Sequence, residues 1–178
     1  MMKSTTDQTD STGSRFTSSP YGIGAQVGGG AIILLLVVAA AATGNLAAQS
    51  SAEQYNQLNQ PGWAPPSWVF GPVWTLLYAL IALSAWWVWR GEPWPRVRWA
   101  LAVFVGQLVL NALWTPLFFG ADLRGLALAE ILLLLGAIIA TIAIFWRHSR
   151  FAAGLLVPYL MWTAFAAALN FSVWQLNN

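Results

Sequence analysis

The chain of 178 residues is 58% hydrophobic and only 8% charged, with a mean hydropathy of +0.60; a soluble domain carries about 25% charged residues. That composition excludes an ordinary soluble domain and predicts a protein that lives in a bilayer. A net charge of only +2 gives no footing for nucleic acid, and the absence of cysteine removes disulfides, thiolate metal sites and cysteine nucleophiles.

In chain order, residues 1–26 are rich in Ser, Thr and Gly with few large aliphatics. Such a segment buries too little apolar surface to offset its ordering entropy, so a disordered N-terminal tail is expected. It has no basic start running straight into an apolar core, so no cleaved signal peptide is expected. Asp7 and Asp10 count against an organelle-targeting role. Residues 27–178 then read as one all-α membrane domain, a five-transmembrane-helix bundle. Five apolar runs, about 27–48, 68–89, 97–119, 123–146 and 151–174, each match the roughly 20 residues that cross a hydrocarbon core as a helix. They lack the alternation of a barrel strand. The links after the second, third and fourth runs are short, which predicts that successive helices are antiparallel neighbours.

The first link is the longest, and it leads into Gln60–Tyr78, which holds Trp63, Trp68, Trp74, Pro61, Pro65, Pro66, Pro72 and no charge. Prolines stiffen the chain and forbid helix at the residue before each, and aromatic rings on that frame form a rigid apolar surface. A lid or rim leading into the second helix is expected here. Charge placement predicts orientation. Lys3, Arg15, Arg90, Arg96, Arg98, Arg147 and Arg150 share one side of a five-crossing topology, and Arg124 alone lies on the other. By the positive-inside rule the N-terminus is cytoplasmic in a bacterial membrane, and the Trp/Pro stretch faces outward; an organelle membrane is the alternative host.

On the third helix Gln107, Asn111, Trp114 and Thr115 fall at offsets of 4, 7 and 8 from the first, on one face. Amides in a bilayer demand partners, so this face looks into the bundle or a pocket; for Gln107 alone, polar glue between helices is an equal reading. Glu130 is the only acid inside a crossing. A central acid costs roughly 2.5–3.5 kcal/mol to insert, so it reads either as functional or as a structural cap near the interface. On the fifth helix Tyr159, Trp162, Ala166 and Asn170 share a face, preceded by Pro158, which can kink the helix. Large rings beside Ala166 leave a slot for a flat molecule, against the plainer reading of aromatic core packing. A single histidine, His148, makes no convincing metal site. The spacings Ala102/Gly106 and Gly125/Ala129 permit close helix contact.

Several of these residues recur in a known order: Trp63-Ala-Pro-Pro-Ser-Trp68, Gly71-Pro-Val-Trp74 through Tyr78, Gln107 through Asn111 and Trp114 to Gly120, Pro158 to Trp162, and Ala168-Leu-Asn170. From about Ala40 to the C-terminus the chain closely resembles the translocator protein, or tryptophan-rich sensory protein, family (TspO/MBR, the peripheral-type benzodiazepine receptors). The resemblance implies a five-helix bundle, usually a homodimer, that binds porphyrins such as protoporphyrin IX, haem-type tetrapyrroles and benzodiazepine-site compounds. The porphyrin is implied as a ligand, and no cofactor is expected.

Carried over by position, the resemblance places the pocket at Trp74, Asn111, Trp114, Trp162 and Ala166, closed by Tyr55, Trp63, Pro65 and Pro66, with Glu130 where members often carry an acid; Gln107 joins the candidate ligand-binding residues from its place on the same helix face as Asn111. It also places Trp74 and Trp162 where some bacterial members break porphyrin down in light. A light- and oxygen-dependent porphyrin-degrading enzyme and a tetrapyrrole or sterol transporter are the rival readings to a receptor or sensor. One departure weighs against a sterol partner. Animal members carry a proposed cholesterol motif with Tyr and Arg near the end of the fifth helix, where this chain has Ser172 and Gln175.

Overall fold

The computed structural model describes residues 19–47 and 51–177, and among them there is helix and no strand. With no water in the hydrocarbon core, a spanning backbone must satisfy its own hydrogen bonds, and helices do so locally. Among the described residues, five helical segments are long and apolar enough to cross a membrane. The first is α1, Ile23–Ala47. After the short α2, Ser51–Gln57, a 3-10 turn at Ser67–Val69 runs into α3, Phe70–Gly91. The third crossing is α4, Trp94–Thr115, continued by a π-helical turn, Pro116–Gly120. The fourth is α5, Arg124–His148, and the fifth is α6, Arg150–Leu155, with α7, Val157–Leu176. Most of the expected tail, residues 1–18, lies outside the described residues. The first helix begins at Ile23 rather than Val27, where the Gln26 side chain bonds the Tyr21 carbonyl at 2.8 Å and the Trp86 indole bonds the Gln26 carbonyl at 3.4 Å.

The breaks follow from proline. Glu92 is extended because Pro93 forbids helix before it, so α3 and α4 are separated by only those two residues. Pro116 has no N–H to continue the ladder; the chain widens into the π turn, closed by Ala121 N–H to the Pro116 carbonyl at 2.8 Å. Asp122 then takes a left-handed conformation, φ 59°, which Asp tolerates better than most residues. Pro158, in the first turn of α7, splits the fifth crossing at Leu156. The Ala152 carbonyl of α6 instead accepts from Ser84 Oγ of α3 at 2.7 Å.

The helices form a ring in which α1 packs on both α3 and α4, α4 on α5, α5 on α7, and α6 on α3 and α5. The expected pairing of successive helices therefore fails for the second and third crossings, which pack on each other only sparsely. A two-residue link brings two ends together but does not choose which faces bury. The central core joins Ile33 and Val37 of α1, Ile81 of α3, Phe104 of α4, Leu134 and Ile138 of α5, and Tyr159 of α7. Outside it, Leu34, Leu35, Val109, Leu132, Leu133, Ile139 and Met161 are all more than half exposed. In water such a belt would be a large unpartnered apolar surface; in a bilayer it faces lipid. The exposed Trp94, Trp99 and Trp146 sit at the arginine-rich end, and the exposed Trp63 and Trp68 at the other, as the two aromatic girdles of a membrane protein do.

Candidate functional site

At the end away from the arginine cluster, α1, α2, α3, α4, the π turn, α5 and α7 surround a cavity of about 520 Å³. That is within the usual range for a small-molecule site. Its walls are mainly aromatic: Phe70, Trp74 and Tyr78 of α3, Trp114 of α4, Phe118 and Phe119 of the π turn, and Trp162 of α7. Gly71 and Ala166 leave room between the rings, and Ile131 and Leu134 of α5 close the remaining side. The rings brace one another: Trp74 lies 5.3 Å from Tyr78, Phe70 meets Trp162 at 5.9 Å, and Trp114 stacks on Phe118 at 5.0 Å.

Several polar side chains at the cavity bond one another. Tyr78 O–H donates to Asn111 Oδ1 at 2.9 Å, Asn111 Nδ2 donates to Tyr159 Oη at 3.1 Å, and Tyr159 O–H donates to Gln107 Oε1 at 3.0 Å. This chain ties α3, α4 and α7 beneath the cavity, and each link replaces a costly orphan in an apolar interior. Trp114 Nε1 donates to Asn170 Oδ1 at 3.2 Å, and Asn170 Nδ2 to the Arg124 carbonyl at 3.0 Å. Trp162 Nε1, by contrast, is buried with no acceptor. The mouth is crossed by α2, whose Tyr55 is 4% exposed and lines the cavity. Its O–H donates to the Pro65 carbonyl at 3.0 Å. Burial raises the Tyr55 phenol above its ordinary value, so that donor persists into alkaline solution. The loop after α2 is tied to the end of α7: Asn59 N–H donates to Asn177 Oδ1 at 3.0 Å, and Asn177 Nδ2 to the Asn59 carbonyl at 2.9 Å.

Of the residues predicted for the pocket, Tyr55, Trp74, Asn111, Trp114, Trp162 and Ala166 line this cavity. The others stand elsewhere. Gln107 is buried below it in the hydrogen-bond chain, with its Nε2 unpartnered. Trp63 is half exposed and meets Phe165 edge-on at 5.7 Å. Pro65 holds Tyr55 through its carbonyl, and neither it nor Pro66 reaches the wall. Glu130 is off the wall, both carboxylate oxygens buried without a partner. His148 Nδ1 lies 3.0 Å from Glu92 Oε1 at the opposite end.

Sequence reasoning missed Phe70, Tyr78, Phe118, Phe119, Ile131 and Leu134. Tyr78 was within reach, since it follows Trp74 by one helical turn. Phe118 and Phe119 depend on the π turn, which has no periodic signal. Of the small-residue pairs, Gly125 lets Trp174 of α7 lie close on α5, while Ala102 and Gly106 are exposed on the outer face of α4.

Five helices long and apolar enough to cross a bilayer, packed around an aromatic cavity, define an integral membrane protein. The TspO/MBR family model matches residues 31–175, and the chain belongs to that family. It is 43% identical over 126 residues to the translocator protein of Homo sapiens, covering 70% of this chain and 75% of that one. The tryptophan-rich protein TspO of Archaeoglobus fulgidus is 43% identical over 132 residues, 74% of this chain and 85% of its own. The tryptophan-rich sensory protein of Cereibacter sphaeroides is 42% identical over 125 residues, with 70% and 77% covered.

Proposed function

We propose that this protein is a membrane receptor or sensor that binds flat, apolar ring systems, porphyrins and benzodiazepine-site compounds among them, in the aromatic cavity. The observation that carries the reading is the placement of Trp74, Trp114 and Trp162 around one volume with the small Gly71 and Ala166 between them. Stacking on the indoles supplies most of the affinity, and the Asn111 amide orients the ligand. The arginine-rich end faces the cytoplasm, and the mouth opens on the other side. A homodimer joined through the small-residue face of α4 is part of the reading.

Tryptophan-fluorescence titration of the detergent-purified protein with protoporphyrin IX in the dark tests it. Saturable quenching that weakens at least tenfold in Trp162→Ala is expected; unchanged affinity in that variant removes the cavity assignment. A second reading, photo-oxidative porphyrin breakdown, draws on Trp74 and Trp162 lining the same cavity. Illumination of the complex that yields nothing beyond free-solution bleaching disposes of it.

A further inference from the structure

Phe118 and Phe119 line the aromatic cavity and also a second, more open cavity of about 450 Å³, whose polar walls are Gln54 and Gln57 of α2, Asp122 and Arg124. It lies at the end of the bundle that carries the exposed Trp63 and Trp68, the depth at which lipid headgroups meet a membrane protein. The Arg124 side chain is 18% exposed, and its Nε is buried with no acceptor among the described residues. Its ionic partner among them, Asp122, reaches Nη2 at 2.5 Å from a side chain 69% exposed. Water competes for a pair so open, and it leaves Nε unanswered. A buried donor on a charged group is costly without an acceptor, so the cavity favours a guest that brings one.

The two charges cancel, and what the cavity offers is a fixed dipole. Arg124 is its cation and Asp122 its anion, with the Gln54 and Gln57 amide oxygens as further acceptors. A lone anion meets the Asp122 carboxylate, and a lone cation meets the guanidinium. A zwitterion whose own charges run the opposite way satisfies both. Phosphate fits the guanidinium fork two bonds at a time. A primary ammonium has three N–H donors for Asp122 and the amides; a quaternary ammonium has none, and the two Phe rings are weaker partners for it than indole. We propose that this cavity binds the phosphoethanolamine headgroup of a membrane lipid, with the phosphate on Arg124 and the ammonium on Asp122. Position favours a lipid as the source. Leu123 and Leu126 beside Arg124 are about half exposed, and the exposed Leu132, Leu133 and Ile139 continue down α5 as an apolar track for acyl chains. The headgroup site goes beyond the receptor reading and does not need it.

Thermal unfolding of the full chain in detergent, followed against added dioctanoyl lipids, tests the site, because a ligand of the folded state raises the midpoint by mass action. Phosphatidylethanolamine is expected to raise it saturably. Its apparent affinity should stand about tenfold above phosphatidylcholine and phosphatidylglycerol of the same chains, the size of one charge-assisted hydrogen bond. Arg124→Gln weakens phosphatidylethanolamine at least tenfold and removes the preference. Asp122→Asn keeps the left-handed backbone and evens or reverses the order, because the anionic phosphatidylglycerol no longer faces a carboxylate and binds more tightly than to wild type. A gain of that kind cannot come from a damaged fold. Equal shifts by all three lipids in wild type, a preference that survives Arg124→Gln, or no gain for phosphatidylglycerol in Asp122→Asn overturns the site. Soluble phosphoethanolamine, without chains, is expected to act only at far higher concentration; affinity equal to the lipid's would make a free zwitterion the occupant and overturn the lipid.

Discussion

The two ends of the bundle use the same side chain for opposite purposes. At the arginine-rich end Trp86 and Trp89 of α3 press on Gly30 and Gly29 of α1, and a Cβ at Gly29 would come within 2.3–2.6 Å of three Trp89 ring atoms. Tyr21 stacks on Trp89 at 4.6 Å, and the Arg90 guanidinium sits 4.6 Å and 4.5 Å from the Trp86 and Trp87 rings. At the other end Trp74, Trp114 and Trp162 line one cavity. What stands opposite the indole decides the outcome: glycine backbone admits the ring and closes the space, whereas other rings, braced by a hydrogen-bonded floor, hold the space apart.

The contrast can be broken from either side. The largest effect is expected from Ala166→Phe, which puts a ring into the cavity; porphyrin affinity falls more than a hundredfold, about 3 kcal/mol, with the thermal midpoint little changed. Titration beside a melting curve checks both halves, and retained affinity would mean the ligand sits elsewhere. Next comes Gly29→Val at the closed end. Overpacking against Trp89 costs about 1–3 kcal/mol, seen as a lower unfolding midpoint in detergent, while the folded fraction binds porphyrin as before. A midpoint equal to wild type would contradict the tight α1–α3 contact. The smallest effect belongs to the mouth. Asn177→Ala removes both bonds to Asn59, worth about 1 kcal/mol together in this exposed setting, and ligand release measured by stopped flow quickens severalfold. An unchanged release rate would mean that these two bonds do not govern opening of the mouth.

The sequence made the crossings legible because lipid imposes a length and forbids unpaired backbone; the five runs differ from the observed helices by a few residues at each end. Helical spacing put Asn111 with Trp114, and Trp162 with Ala166, on shared faces, the cost of bare amides turned the first of those faces inward, and all four residues line the cavity. Depth was not legible. Gln107 and Asn111 are one turn apart on one face, yet Asn111 meets the cavity and Gln107 lies beneath it. Nor was the ring order, because the position of α1 between α3 and α4 is settled by complementary surfaces such as Gly29 against Trp89. The Trp/Pro stretch reads as a lid, but only Ser67, at its 3-10 turn, and the residues from Phe70 onward touch the cavity; Pro65 acts at one remove, through Tyr55. Tryptophan abundance by itself would have misled, since the twelve residues are divided among girdles, closed packing and cavity wall.

The interruption at Leu156 makes the fifth crossing two bodies in series. Its lower piece, α6, is fastened to α3 by the Ser84–Ala152 bond and packs on α5, whereas the upper piece, α7, carries Trp162, Ala166 and Asn170 along the cavity. A continuous helix would act as a stiff rod and carry any tilt of the wall to the far surface. A jointed one works like a bottle with a rigid base and an adjustable neck. On the receptor reading proposed above, small swings of α7 would admit guests of different girth while Arg147 and Arg150 stay put, so tolerance of varied ligands and a steady membrane anchor would be compatible in a chain this short.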